Sequence, residues 1–577
     1  MDKKWKLKEQ PDNTQVVEFA KRLGIHEKLS ILLLQRGIDT IEKATSFFNP
    51  DLNDLHDPFL MKDMDKAVVR IERAIANGEK ILVYGDYDVD GTTAVAIVYS
   101  HLQKYIPQER LGYYVPERYT EGYGISEKGV NYASEEGFSL VIALDCGIKA
   151  VERMQYAKSK GVDFIICDHH TPGDELPEAV AVIDSKRSDC SYPDKNLSGC
   201  GVGFKLMQAL NISQNRPKEE LYAYLDILAV SIASDIVPMT GENRILAFHG
   251  LKKLNQDPSV GLRSIIRVAD LEKKRTTEHS SITISDIVFK IGPRINAAGR
   301  MSSGKEAVRL LVGTCDADVY SVSEDINQSN KDRMELDRKT TEEAKMMIHN
   351  DPEYSRKNTT VLYNPEWMKG IVGIVASRLT EEYYRPTIVL TQSQGLVSGS
   401  ARSVEGFDLY GAIDACSDLL KNFGGHMYAA GLTLEEKNVE EFMRRFEAIV
   451  SKTITPEQKE PQVEIDCALD LRDITPEFYA KLKCFEPFGP GNPTPTFKTE
   501  NVYDRGGSRR IGKDLSHLRL EVIDTKSNNT MLGVAFGKGE MFDRLKQHPF
   551  HLCYNIDENF WAGKTSLQLM IKDIKVG

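Results

Sequence analysis

Three carboxylates within five residues, Asp86, Asp88 and Asp90, constrain this chain more than any other feature. They follow a short apolar run, Ile81 to Tyr84, whose length and β-branched content mark a buried strand. Gly85 ends that strand. Gly91 follows the acids, and Thr92 or Thr93 is placed to cap a helix carrying Ala94, Ala96, Ile97 and Tyr99. Acids so placed sit at the carboxyl end of a parallel strand, where open α/β sheets build their sites. Like charges this close repel, and a bound divalent cation is the usual way to offset that.

The pattern recurs along the chain. From about 65 to 240, apolar strands alternate with helical segments, which predicts a parallel sheet covered on both faces. Phe138 to Leu144 reads as a strand ending at Asp145-Cys146-Gly147, and Phe164 to Cys167 as one ending at Asp168-His169-His170. Leu225 to Ala233 reads as a helix that delivers Asp235. A lone aspartate after a strand is ordinarily a turn or helix-cap residue, so Asp145 or Asp235 alone carries nothing. Asp174 and Asp184 are read as turn and loop residues. Three strand ends bearing acids and imidazoles in one sheet are different, because they converge on one crevice. Carboxylates with one or two imidazoles and no thiolate suit Mn²⁺ or Mg²⁺ better than structural zinc. Several acids suggest two ions, and paired ions serve in-line phosphoester hydrolysis.

Length and composition narrow the setting. At 577 residues the chain needs several domains. It has no uninterrupted apolar run of membrane-spanning length, and its basic N-terminus lacks the apolar core of a secretory signal. Nine scattered cysteines without a C-x-x-C pair fit a reducing, cytoplasmic setting with no disulfide framework. A net charge of −11 does not advertise a nucleic-acid binder, although local potential matters more than the sum.

The motifs D-Y-D-V-D-G (86–91), L-D-C-G (144–147), D-H-H (168–170) and S-D-I-V-P (234–238) resemble those of the DHH phosphoesterases. Others narrow the resemblance to the single-strand-specific bacterial exonucleases of that superfamily. They are I-G-P-R-I-N-A-A-G-R-M (291–301), W-M-K-G-I-V-G-I-V-A-S-R (367–378), S-G-S-A-R-S (398–403) and F-G-G-H-M-Y-A-A-G (423–431). The resemblance implies that Asp88 and Asp90 hold one metal each, that Asp145 bridges both, and that His169 and Asp235 bind the second. His170 would lie near the scissile phosphate. Many of these phosphoesterases carry a histidine ligand four residues before the first of these aspartates. Tyr84 stands there here, so either Asp86 substitutes or one metal is held by fewer protein ligands. The expected cofactors are two divalent metal ions, Mn²⁺ ahead of Mg²⁺.

The remaining segments take their places around this core. Residues 1–60 read as a helical lead-in, 61–320 as the catalytic domain, and 321–350 as a polar connecting helix. Gly292 to Arg300 reads as a turn-rich segment whose composition fits a tight loop with surface arginines equally well; the resemblance implies Arg300 or Arg294 as a phosphate contact. Residues 351–452 form a second α/β unit, by resemblance the DHH-associated substrate domain. There Ser400 and Arg402 would take a 5′-phosphate, and His426, on a glycine turn, would contact the phosphate being cleaved. Lys369 to Ala376 reads as a loop entering a helix, an anion-binding geometry. After a linker at 453–461, residues 462–577 read as a β-barrel of OB type. Phe488, Arg509, Arg510 and Trp561 are its stacking and phosphate candidates.

The fold class is thus α/β, a parallel-sheet DHH domain with a second α/β domain and a C-terminal OB-like barrel. The implied activity is 5′→3′ hydrolysis of single-stranded DNA to 5′-mononucleotides in recombination and repair, with the strand entering a cleft between the α/β domains. A helicase and a single-strand-binding protein are partners the resemblance implies, and no membrane is expected. Two other readings remain: a phosphodiesterase of oligonucleotides or cyclic dinucleotides, and a non-catalytic single-strand-binding scaffold.

Overall fold

The strand before the acid cluster forms as Lys80–Gly85, and its side-chain alternation fixes the layers around it. Ile81 and Val83 enter one apolar cluster, Leu82 and Tyr84 the other. A strand with both faces buried needs helices on both sides, as parallel sheets do. In the computed structural model, which describes residues 3–276, 280–525, 527–561 and 564–576, the chain divides into two compact units. One comprises Leu7–Ser329 with Ile465–Gly577, and the other Met1–Lys6 with Asn330–Glu464.

The larger unit holds a five-stranded, wholly parallel sheet. Across it run Leu111–Tyr114, Lys80–Gly85, Phe138–Leu144, Asp163–Cys167 and Ala181–Ile183. The first strand in sequence therefore has the second on one side and the third on the other. That is the topological switch point, where the loops after two adjacent strands part and leave a crevice. Helices Val89–Leu102, Gly199–Ser213 and Leu225–Ser234 cover one face. Helices Glu127–Glu135 and Val151–Ser159 cover the other.

The same unit carries a closed barrel. Its ring runs Phe497–Asp504, Phe550–Trp561, Lys564–Val576, Asn529–Ala535 and His517–Asp524, and Val502 pairs back with Asp524 to close it. Closure removes the unpaired edges an open sheet would expose. The N-terminal helices belong to this core. Phe19, Leu29, Leu32, Leu33 and Ala44 pack in one cluster with Phe478, Phe485, Phe497 and Tyr554. Arg244 ties helix Gly241–Gln256 to both: its guanidinium donates to the carbonyls of Phe485 and Phe47 at 2.9 and 3.0 Å.

The second unit contains a mixed sheet. Its order is Leu420–His426, Ala429–Leu434, Leu396–Arg402, Thr387–Ser393 and Thr360–Tyr363, and only the last pair is parallel. The long polar helix is Asp316–Asn350.

Three local expectations change. Asp88, not a threonine, caps helix Val89–Leu102 by accepting from the Gly91 N–H at 3.0 Å. The hydroxyls of Thr92 and Thr93 instead bond back to the carbonyls of Asp88 and Val89, both at 2.6 Å. The segment of Arg294 and Arg300 is a helix, Gly292–Met301, rather than a turn. Proline fits a first helical turn, and Gly299 serves close packing, since a Cβ there would sit 2.5 Å from the Tyr87 carbonyl. His426 ends a strand rather than sitting on a glycine turn.

Leu33 is fully buried between the lead-in helices and the barrel. Leu33→Ala is expected to cost about 3 kcal/mol, read as an earlier urea midpoint in the far-UV signal.

Candidate metal centre

The acids at the switch point are buried, and each is held differently. Asp90 enters the first turn of its helix. Its carboxylate accepts from the backbone N–H groups of Gly199 and Cys200 at 2.6 and 2.9 Å, and from the Ser231 hydroxyl at 2.6 Å. It thus sits on the positive end of helix Gly199–Ser213. Gly199 is required there, because a Cβ would lie 2.5 Å from Asp145 Oδ1. Asp145 follows the third strand with a φ of 59°, a left-handed backbone that aspartate tolerates.

His169 Nε2 stands among the acids. It lies 3.2 Å from Asp145 Oδ1, 3.6 Å from Asp235 Oδ2 and 3.7 Å from Asp90 Oδ2. Two groups form, Asp90–His169–Asp235 and Asp145–His169–His170, each with its ligand atoms within 4.8 Å of one another. They share His169. Asp86 Oδ2, Asp145 Oδ1 and His169 Nε2 are buried without any hydrogen-bond partner. A buried polar atom left unpaired is costly, and a cation beside Asp145 Oδ1 and His169 Nε2, which lie 3.2 Å apart, would pair both. The donor set, carboxylate and imidazole without thiolate, suits hard or borderline divalent ions.

The electrostatics agree. Burial, then Asp88, pushes the Asp86 carboxyl well above the usual range. Burial, then Asp90 and Asp88, does the same to Asp145. Asp88 rises through burial and Asp90. Asp235 is pushed up to about 9 by burial and the charges of Asp90 and Asp88. Burial lowers His169, so its imidazole stays neutral and able to ligate. Asp168 is the exception. Burial opposes its charge, but His170 and the N–H of Ile148 hold it down at about 2.

Asp168 therefore positions rather than coordinates. It accepts from the backbone N–H groups of Ile148, His169 and His170, and from His170 Nδ1 at 2.7 Å. That leaves His170 Nε2 facing outward, 3.3 Å from the Tyr123 hydroxyl. Tyr123 in turn donates to the Asp145 carbonyl at 2.9 Å. The Tyr84 hydroxyl donates to the Gly124 carbonyl and accepts from the Ser126 N–H, so it is engaged away from the acids. Asp86 Oδ1 accepts from the Gly124 N–H at 3.3 Å, and its other oxygen is the orphan.

Of the acids and imidazoles named from sequence, Asp90, Asp145, His169, His170 and Asp235 come together in the two groups, with Asp86 and Asp88 adjoining in the same loop. The helix of Arg300 packs on Tyr87, and the Arg300 carbonyl accepts from Tyr119 at 2.6 Å. Arg294 donates to Asn327 at 3.0 Å and to the Lys290 carbonyl at 2.7 Å. On the second unit, Arg402 donates to the Ser377 and Ser400 hydroxyls at 3.2 and 3.1 Å. Among the described residues no carboxylate pairs with Arg402, and burial lowers its pKa. His426 is exposed, its Nδ1 accepting from the Tyr428 N–H at 3.3 Å. On the barrel, Arg509 is exposed, Arg510 pairs with Asp543 at 2.8 Å, and Phe488 is half-buried against the core. The side chain of Trp561 lies outside the described residues.

Sequence reasoning missed Ser231, Gly199 and Cys200 as the clamp on Asp90, and Arg118, whose guanidinium lies 4.8 Å over the Tyr87 ring. Only the small-residue run Ser198 to Gly203, next to an N-cap serine, signalled the clamp. Asp184, read as a loop residue, is buried just past the fifth strand and pushed up to about 7 by that burial.

Comparison with known proteins places this geometry. Models of the DHH family N-terminal domain, the DHHA1 domain and the RecJ OB domain match residues 80–232, 357–452 and 465–573. The single-stranded-DNA-specific exonuclease RecJ of Bacillus subtilis (strain 168) is 36% identical over 576 residues, spanning 99% of this chain and 71% of that protein. The chain belongs to the RecJ family. RecJ of Escherichia coli (strain K12) is 31% identical, covering 89% of this chain and 90% of its own. The crystal structure of RecJ in complex with Mn²⁺ from Thermus thermophilus superposes with a TM-score of 0.83 at 27% identity, over 99% of this chain and 79% of that one. The Mg²⁺ complex of the same protein gives 0.78 at 26% identity, over 99% and 78%. Divalent-metal use follows from this family membership, and the orphaned donors at the switch point fit it.

Raised acids make a pH prediction. Asp235 moves from 3.8 to about 9, so the folded state holds its proton more tightly than the unfolded chain. Its contribution to stability is full below 3.8 and is lost as pH rises toward 9. Chelated protein should therefore melt several degrees lower at about pH 9 than at about pH 5. Asp235→Asn should flatten that slope, and added Mn²⁺ or Mg²⁺ should raise the melting temperature most at the alkaline end.

Proposed function

We propose that the chain is a metal-dependent exonuclease that degrades single-stranded DNA from its 5′ end and releases 5′-mononucleotides. The carrying observation is the pair of ligand groups sharing His169, with three buried donor atoms left unpaired. The similarity to proteins named single-stranded-DNA-specific exonuclease supports the substrate.

Asp88, Asp90, Asp145, His169 and Asp235, with Asp86 alongside, would hold two divalent ions. When bound, such ions supply Lewis acidity to the phosphoester and lower the pKa of the attacking water. Mn²⁺ is favoured over Mg²⁺ by the imidazole among the donors. The rest of the chemistry belongs to the protein. Asp168 fixes His170 with Nε2 presented outward. Burial opposes charge on His170, but the Asp168 carboxylate outweighs it and raises the imidazole pKa. A protonated imidazole so placed stabilises charge developing on the phosphate. Arg300, Arg294 and His426 are the further phosphate contacts. Arg402, braced by two hydroxyls and unpaired with any described carboxylate, is a preformed anion site and takes the 5′-phosphate with Ser400. Arg509, Arg510 and Phe488 on the barrel, with Trp561, hold the incoming strand. A helicase and a single-strand-binding protein would supply that strand. The protein would act in the cytoplasm; among the described residues no helix is long and apolar enough to cross a membrane.

A 3′-labelled oligonucleotide tests this. The single strand should give a ladder of shrinking labelled fragments with Mn²⁺, none with chelator, and little from a blunt duplex. Asp145→Asn should reduce cleavage by more than about a thousandfold while leaving strand binding near normal. Arg402→Ala should weaken use of 5′-phosphorylated ends by about tenfold to a hundredfold, with a smaller effect on 5′-hydroxyl ends. Hydrolysis of short dinucleotides with the oligonucleotide untouched would replace this reading with the small-substrate one.

A further inference from the structure

Ile236 follows the ligand Asp235 and adopts a φ of 59°. It is the first residue beyond the cap of helix Leu225–Ser234, a place where a left-handed backbone usually calls for glycine. Among the described residues with positive φ other than glycine, six are aspartate or asparagine, which tolerate it. Ile236 alone of that set is β-branched, the type for which this conformation is a true outlier.

The strain is imposed from both sides. Asp235 is drawn to His169, and Ser234 meets Gly292, where a Cβ would stand 2.6 Å from the serine oxygen. Beyond, Val237 and Met239 are buried, and the Met239 N–H donates to the Pro490 carbonyl at 2.6 Å. A glycine would satisfy this path at no steric cost. The isoleucine side chain is not repaid by burial either, because 62% of it is exposed. A strained residue with an unburied apolar side chain, next to a ligand, points to function rather than to packing.

We infer that Ile236 is a substrate-positioning residue whose side chain packs against the base of a nucleotide flanking the cleaved phosphate. The inference rests on the exonuclease reading above and names a contact within it. Consecutive Cα atoms are about 3.8 Å apart, so a side chain one residue from Asp235 lies within one nucleotide of a phosphate held at the centre. An aliphatic group offers no hydrogen bond and reads no base identity. Every base has an apolar face, so such a contact serves an enzyme that must accept any sequence. The positive φ turns the side chain outward without moving the ligand beside it.

Abasic strands test the contact. Single-stranded oligonucleotides of one sequence are compared, intact or with one abasic site at the first or second nucleotide from the 5′ end. The wild-type protein should lose about tenfold in kcat/KM at one of those two positions. Ile236→Gly, which keeps the backbone path and relieves the strain, should cleave the intact strand about tenfold less well and no longer distinguish intact from abasic. Its melting temperature should equal or exceed that of the wild type, which separates a lost contact from a lost fold. Ile236→Asn, polar and tolerant of the same φ, should behave like the glycine variant. An unchanged ratio of intact to abasic cleavage in both variants overturns the inference while leaving the exonuclease reading standing. A wild-type protein that cuts neither strand overturns the exonuclease reading, and the inference with it.

Discussion

Buried carboxylates on neighbouring parallel strands repel one another, and the protein answers that repulsion in different ways. Asp90 is braced by two backbone N–H groups and a serine at the start of a helix. Asp168 is neutralised by His170 and the N–H groups of its own turn. Asp86, Asp145 and Asp235 are left raised, and Asp86 Oδ2, Asp145 Oδ1 and His169 Nε2 are buried without a hydrogen-bond partner. The division of labour is chemical. Hydrogen bonds orient Asp90 and Asp168, and lone pairs on Asp86, Asp145 and His169 are left without a partner.

The sheet order makes this possible. Because the first strand lies between the second and the third, the loops bearing Asp86 to Asp90 and Asp145 leave adjacent strands at the point where the chain reverses direction across the sheet. Helices packed from one side then bring Ser231, Gly199 and Asp235 to the same place. The barrel and the N-terminal helices share one core, so residues 7–48 are structural partners of the C-terminal domain despite their distance in sequence. Arg244 reinforces that join by donating to carbonyls of both.

Much of this was legible in the chain. The strands at Lys80–Gly85 and Phe138–Leu144 follow from unbroken apolar runs, and the acids after them from the rule that such sheets bind ligands at their carboxyl ends. The misread places are those where one residue type serves two ends. Glycine-rich 292–300 looks like a turn, yet its glycines are needed because Tyr87 and Ser234 press on a helix. Asp168, the first residue of its motif, carries no role assigned from sequence, and it spends its lone pairs on backbone N–H groups that only the folded turn presents.

The sequence by itself determined the elements, the parallel sheet, the barrel and the set of acids and imidazoles, because periodicity and motif spacing are local properties of the chain. Tertiary structure alone decided which lone pairs remain free. That choice depends on contacts between segments far apart, such as Gly199 and Ser231 on Asp90, and on the crowding that holds Ile236 in a left-handed turn beside its ligand. Such contacts arise only when packed elements bring particular hydrogen-bond donors within reach of particular acceptors.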